Sequence, residues 1–179
     1  MEPLTCCFTG HRPQGLPWGE DETDSRCLNL MAVLAQELED AWKEGYRNFW
    51  CGMARGGDLL FAEAVLACQM VHPEVQLWAA IPCPNQIKDW PRKDIDRYWT
   101  ILKYIGGHHC KLISSYWTRD CMLRRNDFMV ERSQRIIALY NGARRGGTFY
   151  TLNKAQRRGL ESIIITPEPL RVVRRPGRL

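Results

Sequence analysis

The stretch "RIIALYNGARRGGTFYTLNKAQRRGLESIIIT", residues 135–166, decides the architecture. Its first six residues form an almost unbroken apolar run that stops at Asn141-Gly142, as a strand buried on both faces would. "TFYTLNKAQRR" follows with helical spacing, Gly159 ends it, and "SIIIT" is a second apolar run of strand length. Strand, helix and strand in succession predict a βαβ unit with parallel pairing.

The same alternation extends over the rest of the chain. "LTCCFTG" reads as a strand ending at Gly10. Leu28, Met31, Leu34, Ala35, Leu38, Ala41 and Trp42 then recur at helical spacing, with Asp24 or Ser25 as cap and Gly45 as stop. "NFWCG", "VQLWAAIPC" and "CKLISS" read as strands. "GGDLLFAEAVLACQM", "DIDRYWTILKYI" and "CMLRRNDFMVERS" read as helices. The expected fold is therefore α/β: a single Rossmann-like domain whose largely parallel sheet carries helices on both faces.

Composition narrows the function classes. At 179 residues and 45% hydrophobic, the chain fits one globular domain with a sizeable core. No apolar run approaches the ~18–20 residues needed to cross a bilayer, so no membrane partner is expected. The opening "MEPLTCCFTGHRP" has no signal-peptide pattern, and the chain reads as cytoplasmic. Its eight cysteines include no C-x-x-C pair, and in "GGHHC" adjacent side chains would point apart on a strand. Neither a metal nor a cofactor is expected. The net charge of +5 owes most to Arg171, Arg174, Arg175 and Arg178, without which the rest is nearly neutral. Residues 1–168 read as the domain and 169–179 as a flexible basic tail.

In open parallel sheets, ligands bind beyond the carboxyl ends of the strands. Four such ends carry unusual residues: "FTGHRP", "CGMARGGD", "IPCPNQ" with Pro82, and "YNGARRGGT". "GMARGGDL" spaces Gly52 and Gly57 like part of a P-loop. Asp58 and Leu59 then stand where a nucleoside-triphosphate site needs Lys and Ser or Thr, so kinase and NTPase chemistry is not expected. Gly52, Gly56 and Gly57 allow close backbone approach by a ligand. Asp58 reads as a helix N-cap or as an acceptor for a ribose hydroxyl. Gly146 and Gly147 free the backbone before a helix that Thr148 can cap, and Arg144 and Arg145 add charge: a phosphate cradle or a glycine-rich surface turn. His11 and Arg12 face the same crevice. Arg125 and Asn126 of "RRND" either join it or belong to a charged helix face. The loop "PQGLPWGEDETDS" is long enough for a lid.

Taken in order and spacing, "FTGHRP", "GMARGGD", "IPCPNQIKDW", "RRNDFMVERS" and "IIALYNGARRGGTFYTLNKA" resemble the YpsA-like family of the SLOG superfamily. That superfamily also holds the LOG-type phosphoribohydrolases and the DNA-processing protein DprA. The resemblance covers residues 4 to about 166 and implies a nucleotide-type small molecule as partner. It also suggests a homodimer. LOG-type enzymes are similar in having G-G-x-G-T-x-x-E, and aligning Gly147-Thr148 with that G-T puts Thr151 at the glutamate. The phosphate cradle survives and the expected acid/base group does not. The first expectation is thus binding or sensing of a nucleoside phosphate or ADP-ribose-like ligand, with Gly10 and the residues above as contacts. The alternative is a nucleoside-monophosphate N-glycosidase using a displaced carboxylate, with Asp58, Glu63 or Asp127 as candidates. Nucleic acid, as single-stranded DNA, is the least favoured reading because the body is neutral.

Overall fold

In the computed structural model, which describes residues 2–178, seven strands form one sheet. The elements run β1 (Leu4–Gly10), α1 (Ser25–Lys43), β2 (Tyr46–Cys51), α2 (Gly57–Val71), β3 (Gln76–Ile81), α3 (Arg92–Ile105) and β4 (Cys110–Leu112). They continue with α4 (Cys121–Glu131), β5 (Arg135–Leu139), α5 (Gly146–Arg157), β6 (Glu161–Pro167) and β7 (Leu170–Arg175). The strand order is β4-β3-β2-β1-β5-β6-β7, parallel throughout except for β7, which runs antiparallel to β6. The expected α/β fold with helices on both faces is the observed one. Among the described residues no helix is long and apolar enough to cross a membrane.

Strand pleating divides the core in two. Cys6 and Phe8 of β1, with Ile137 and Leu139 of β5, point to the face covered by α1, α2 and α3. Cys7, Ile136 and Ala138, one residue out of phase, point to the face covered by α4 and α5. All five residues of β5 are buried, which is why its sequence shows no polar alternation. Leu30, Leu34, Leu38 and Ala41 line one stripe of α1. Helix α2, packed against α1, α3 and the sheet, is apolar on almost every side. Phe8 and Phe61 stack with centroids 4.3 Å apart, and burying each ring contributes roughly 1.5–3 kcal/mol.

The C-terminal segment departs from the expected tail. Leu170–Arg175 form a full edge strand, paired with β6 from Ser162↔Arg175 to Pro167↔Leu170. Arg174 reaches back to Glu37 of α1 at 2.7 Å, and Arg178 N–H bonds the Gly159 carbonyl at 2.9 Å. Both faces of β7 are exposed, so it lacks the apolar signature that marks the inner strands. Residue 179 lies outside the described residues.

The loop expected as a lid is tied down. Leu16 and Trp18 are buried in the larger core cluster. Arg55 holds Glu20 at 2.5 Å, and Arg97 holds Glu22 at 2.7 Å. These anchors fix residues 16–22 against α2 and α3 rather than leaving them free to open.

Candidate functional site

The chain leaves β1 toward β2 on one side, and returns through α4 to β5 on the other side of β1. Neighbouring connections therefore diverge at the carboxyl ends of β1 and β5, and a crevice opens there. It is a cleft of about 400 Å³, bounded by Gly10–Arg12, Asp58, one face of α4 and the turn Arg145–Thr148.

The turn into α5 leaves backbone N–H groups free at the cleft. Gly146 has φ of +87°, a left-handed conformation that side chains rarely tolerate. The helix starts there, so Thr148 lies inside its first turn rather than capping it. Arg145 occupies the cap position, and no side chain satisfies the first N–H groups. The first residues of α5 line the cleft beside Arg145, and Arg12 lines it as well. Arg144 lies outside this cleft, along a second groove beyond the turn.

The glycines after β1 and β2 mostly serve the protein itself. A side chain at Gly56 would meet the His11 carbonyl at 2.6 Å, and Gly57 N–H donates to that carbonyl at 2.9 Å. A side chain at Gly52 would overlap the Arg125 guanidinium, whose Nη1 donates to the Gly52 carbonyl. So Gly52, Gly56 and Gly57 do not line the cleft as expected; they let the β1 loop, the β2 loop and α4 close against one another.

Arg125 is buried, and its Nε also donates to Asn126 Oδ1 at 2.7 Å. Burial pulls its pKa below the ordinary arginine value, with the Asp58 charge opposing that shift. Asp58 is equally enclosed. It is not the α2 N-cap, which is Gly56, but its Oδ2 accepts the Ala54 N–H at 3.1 Å. Burial pushes its pKa up to about 6, against the lowering pull of Arg125, the Ala54 N–H and Arg12. His11 has its pKa lowered by burial, and its Nε2 accepts the Asn141 N–H at 3.1 Å, the role of a neutral imidazole.

Asp58 sets a pH dependence whose sign is fixed. Its folded-state pKa lies above the ordinary carboxyl value, so the folded protein binds the proton more tightly than the unfolded chain. The resulting stability is complete below about pH 4 and is lost as pH rises through about 6. Asp58→Asn should remove that decline, since the amide does not titrate and its oxygen can keep the Ala54 bond. Urea unfolding at a series of pH values from 4 to 8 measures it; identical profiles for both proteins would refute the assignment.

The YpsA profile, described as the YspA SLOG family, matches residues 6–166. The chain belongs to the YspA SLOG family. UPF0398 protein YpsA of Bacillus subtilis (strain 168) is 25% identical over 170 residues, covering 92% of this chain and 93% of that one. UPF0398 protein BH1768 of Halalkalibacterium halodurans is 25% identical over 145 residues, or 79% and 77% of the two chains.

In this YspA SLOG chain the cleft gathers Gly10, His11, Arg12, Asp58, Arg125, Asn126, Arg145, Gly146, Gly147 and Thr148. Asp127 is not among them. It turns to α5, bonded to Tyr150 Oη at 3.0 Å and Lys154 Nζ at 2.9 Å. Pro82 is buried after β3 away from the cleft, its carbonyl accepting Ser114 N–H at 3.1 Å. Glu63 is held by Arg97 at 2.5 Å. Thr151, where LOG-type relatives place glutamate, is fully buried and donates to the Gly147 carbonyl at 2.7 Å. Met122 and Met129 line the cleft and were not anticipated. The spacing Met122, Arg125, Asn126, Met129 marks a single face of α4 and was the available signal.

Proposed function

We propose that the cleft binds a nucleotide-derived ligand, a nucleoside phosphate or ADP-ribose-like molecule, with a phosphate at the start of α5. The observation that carries this reading is the uncapped α5 turn at Gly146–Thr148, which shares one cleft with Arg12 at the point where strand order reverses. Backbone N–H groups and a helix dipole suit phosphate oxygens, and Arg12 and Arg145 add charge. A volume near 400 Å³ is within the range of small-molecule sites.

The test is native mass spectrometry of gently purified protein, then a thermal-shift screen of nucleoside monophosphates, dinucleotides and ADP-ribose derivatives. A ligand present at 100 times its dissociation constant should add about 2.7 kcal/mol and raise the melting temperature. No shift from any phosphate-bearing member of the panel would overturn the reading.

Asp58 favours a second reading, cleavage of an N-glycosidic bond. It is a buried carboxyl on the cleft wall with a pKa near 6, suited to donating or accepting a proton close to neutral pH. Asp127, engaged with Tyr150 and Lys154, is no longer a candidate for that role. Release of free base from nucleoside monophosphates, abolished in Asp58→Asn, would establish an enzyme; a hit recovered intact would leave a sensor. Single-stranded DNA loses ground because the basic segment is strand β7, with Arg174 already paired to Glu37.

A further inference from the structure

A second groove, with a volume of about 600 Å³, lies on the other side of the same turn, between α5 and the β6–β7 edge. Leu152, Ile164 and Val173 make its apolar floor, and the rings of Tyr140 and Phe149 stand along it. Those rings are near parallel, 26° apart, with centroids at 6.4 Å. Arg144 and Arg175 flank it, both exposed. Among the described residues neither has an ion-pair partner, and no acidic side chain lines the groove.

The half-buried amides of Asn153 and Gln156 complete the lining. From this combination we infer a second binding site for a small organic anion: a flat apolar body between the aromatic rings and the aliphatic floor, and an anionic group toward Arg144 and Arg175. An apolar molecule without charge leaves both arginines unused, and an inorganic anion leaves the floor exposed, so the groove selects the two properties together.

The site is wired to the cleft. Tyr140 stacks on His11 at 5.9 Å as well as on Phe149, and His11 lines the cleft. Asn141, between the two sites, donates through its backbone to His11 Nε2 and through its side chain to the Gly15 carbonyl at 3.0 Å. An occupant that fixes Tyr140 and Asn141 also fixes His11 and the turn before the phosphate cradle.

The probe is 1-anilinonaphthalene-8-sulfonate, a flat aromatic sulfonate whose fluorescence rises on leaving water, titrated into the full chain. The expected result is saturable binding at one site per chain. Affinity should fall about tenfold or more in Arg175→Glu and in Arg144→Glu, as reversal of a nearby charge implies. Both changes are on the surface, and thermal melts verify that each variant is folded. Gly147→Asp, at a residue that lines the cleft and not the groove, should leave the probe binding saturably at one site per chain. Uncharged N-phenyl-1-naphthylamine should bind the native protein at least tenfold more weakly than the sulfonate. Non-saturable fluorescence, equal affinity in the arginine variants, equal affinity for the uncharged analogue, or loss of binding in Gly147→Asp would each overturn the proposal.

Discussion

Gly147→Asp should abolish binding of the cleft ligand while leaving the protein folded and slightly more stable. A side chain at this position has room: the atom nearest to where its Cβ would sit is Asn126 Nδ2, at 3.8 Å. An aspartate in the first turn of α5 also interacts favourably with the helix dipole, by a few tenths of a kcal/mol. The same carboxylate occupies the place a phosphate would take. Two like charges about 4 Å apart at an effective dielectric near 20 repel by about 4 kcal/mol, a loss of about a thousandfold in affinity. Titration calorimetry with the ligand found by thermal shift, beside a melting curve of the ligand-free variant, separates the two effects. Unchanged affinity would exclude the α5 turn as the phosphate site; a lower melting temperature would mean that Gly147 is needed by the fold.

Arg125→Met should destabilise the protein by about 1–3 kcal/mol at neutral pH, the range for leaving a buried acceptor such as the Gly52 carbonyl unpaired. The guanidinium bonds the Gly52 carbonyl, Gln86 Oε1 at 3.4 Å and Asn126 Oδ1, and its charge opposes the desolvation of Asp58. Without it, the Asp58 carboxylate is left buried with less compensation. The penalty should therefore shrink as pH falls and Asp58 takes up a proton. Adding Asp58→Asn to Arg125→Met should restore part of the lost stability, and the four proteins form a double-mutant cycle. Urea unfolding at pH 5 and pH 7.5 gives the result. A pH-independent penalty with strictly additive single effects would show that Arg125 acts through packing alone.

The parts of the fold that were legible in the sequence are those whose signal is local. Strands β1, β3, β5 and β6 announce themselves because burial on both faces removes polar alternation, as in "RIIAL" and "SIIIT". Strand β7 does not, because "LRVVRR" is exposed on both faces and gains its order from pairing with β6 and from Arg174 meeting Glu37. The same division applies to the site. The α5 turn was readable from Gly146-Gly147 beside two arginines. The reason for Gly52 was not, since the guanidinium that requires it arrives from residue 125, in a different element. Asp127 misleads for a rotational reason: it follows Arg125 and Asn126 by two residues and one, and about 100° per residue carries it from the cleft to α5.

The position of β1 bears on how the protein is made. Of the seven strands it is made first, yet it lies in the middle of the sheet, between β2 and β5. Its pairing with β2 becomes available once Tyr46–Cys51 have been synthesised, whereas Arg135–Leu139 must exist before its other edge is filled. The cleft needs still more, because its wall includes the turn that begins at Arg145. A nascent chain thus carries an open β1 edge for most of its synthesis, a period in which chaperones or premature pairing can compete for that strand. The cleft, whose lining ends at Thr148, is complete only after that edge has closed, while β6 and β7 are still to be made.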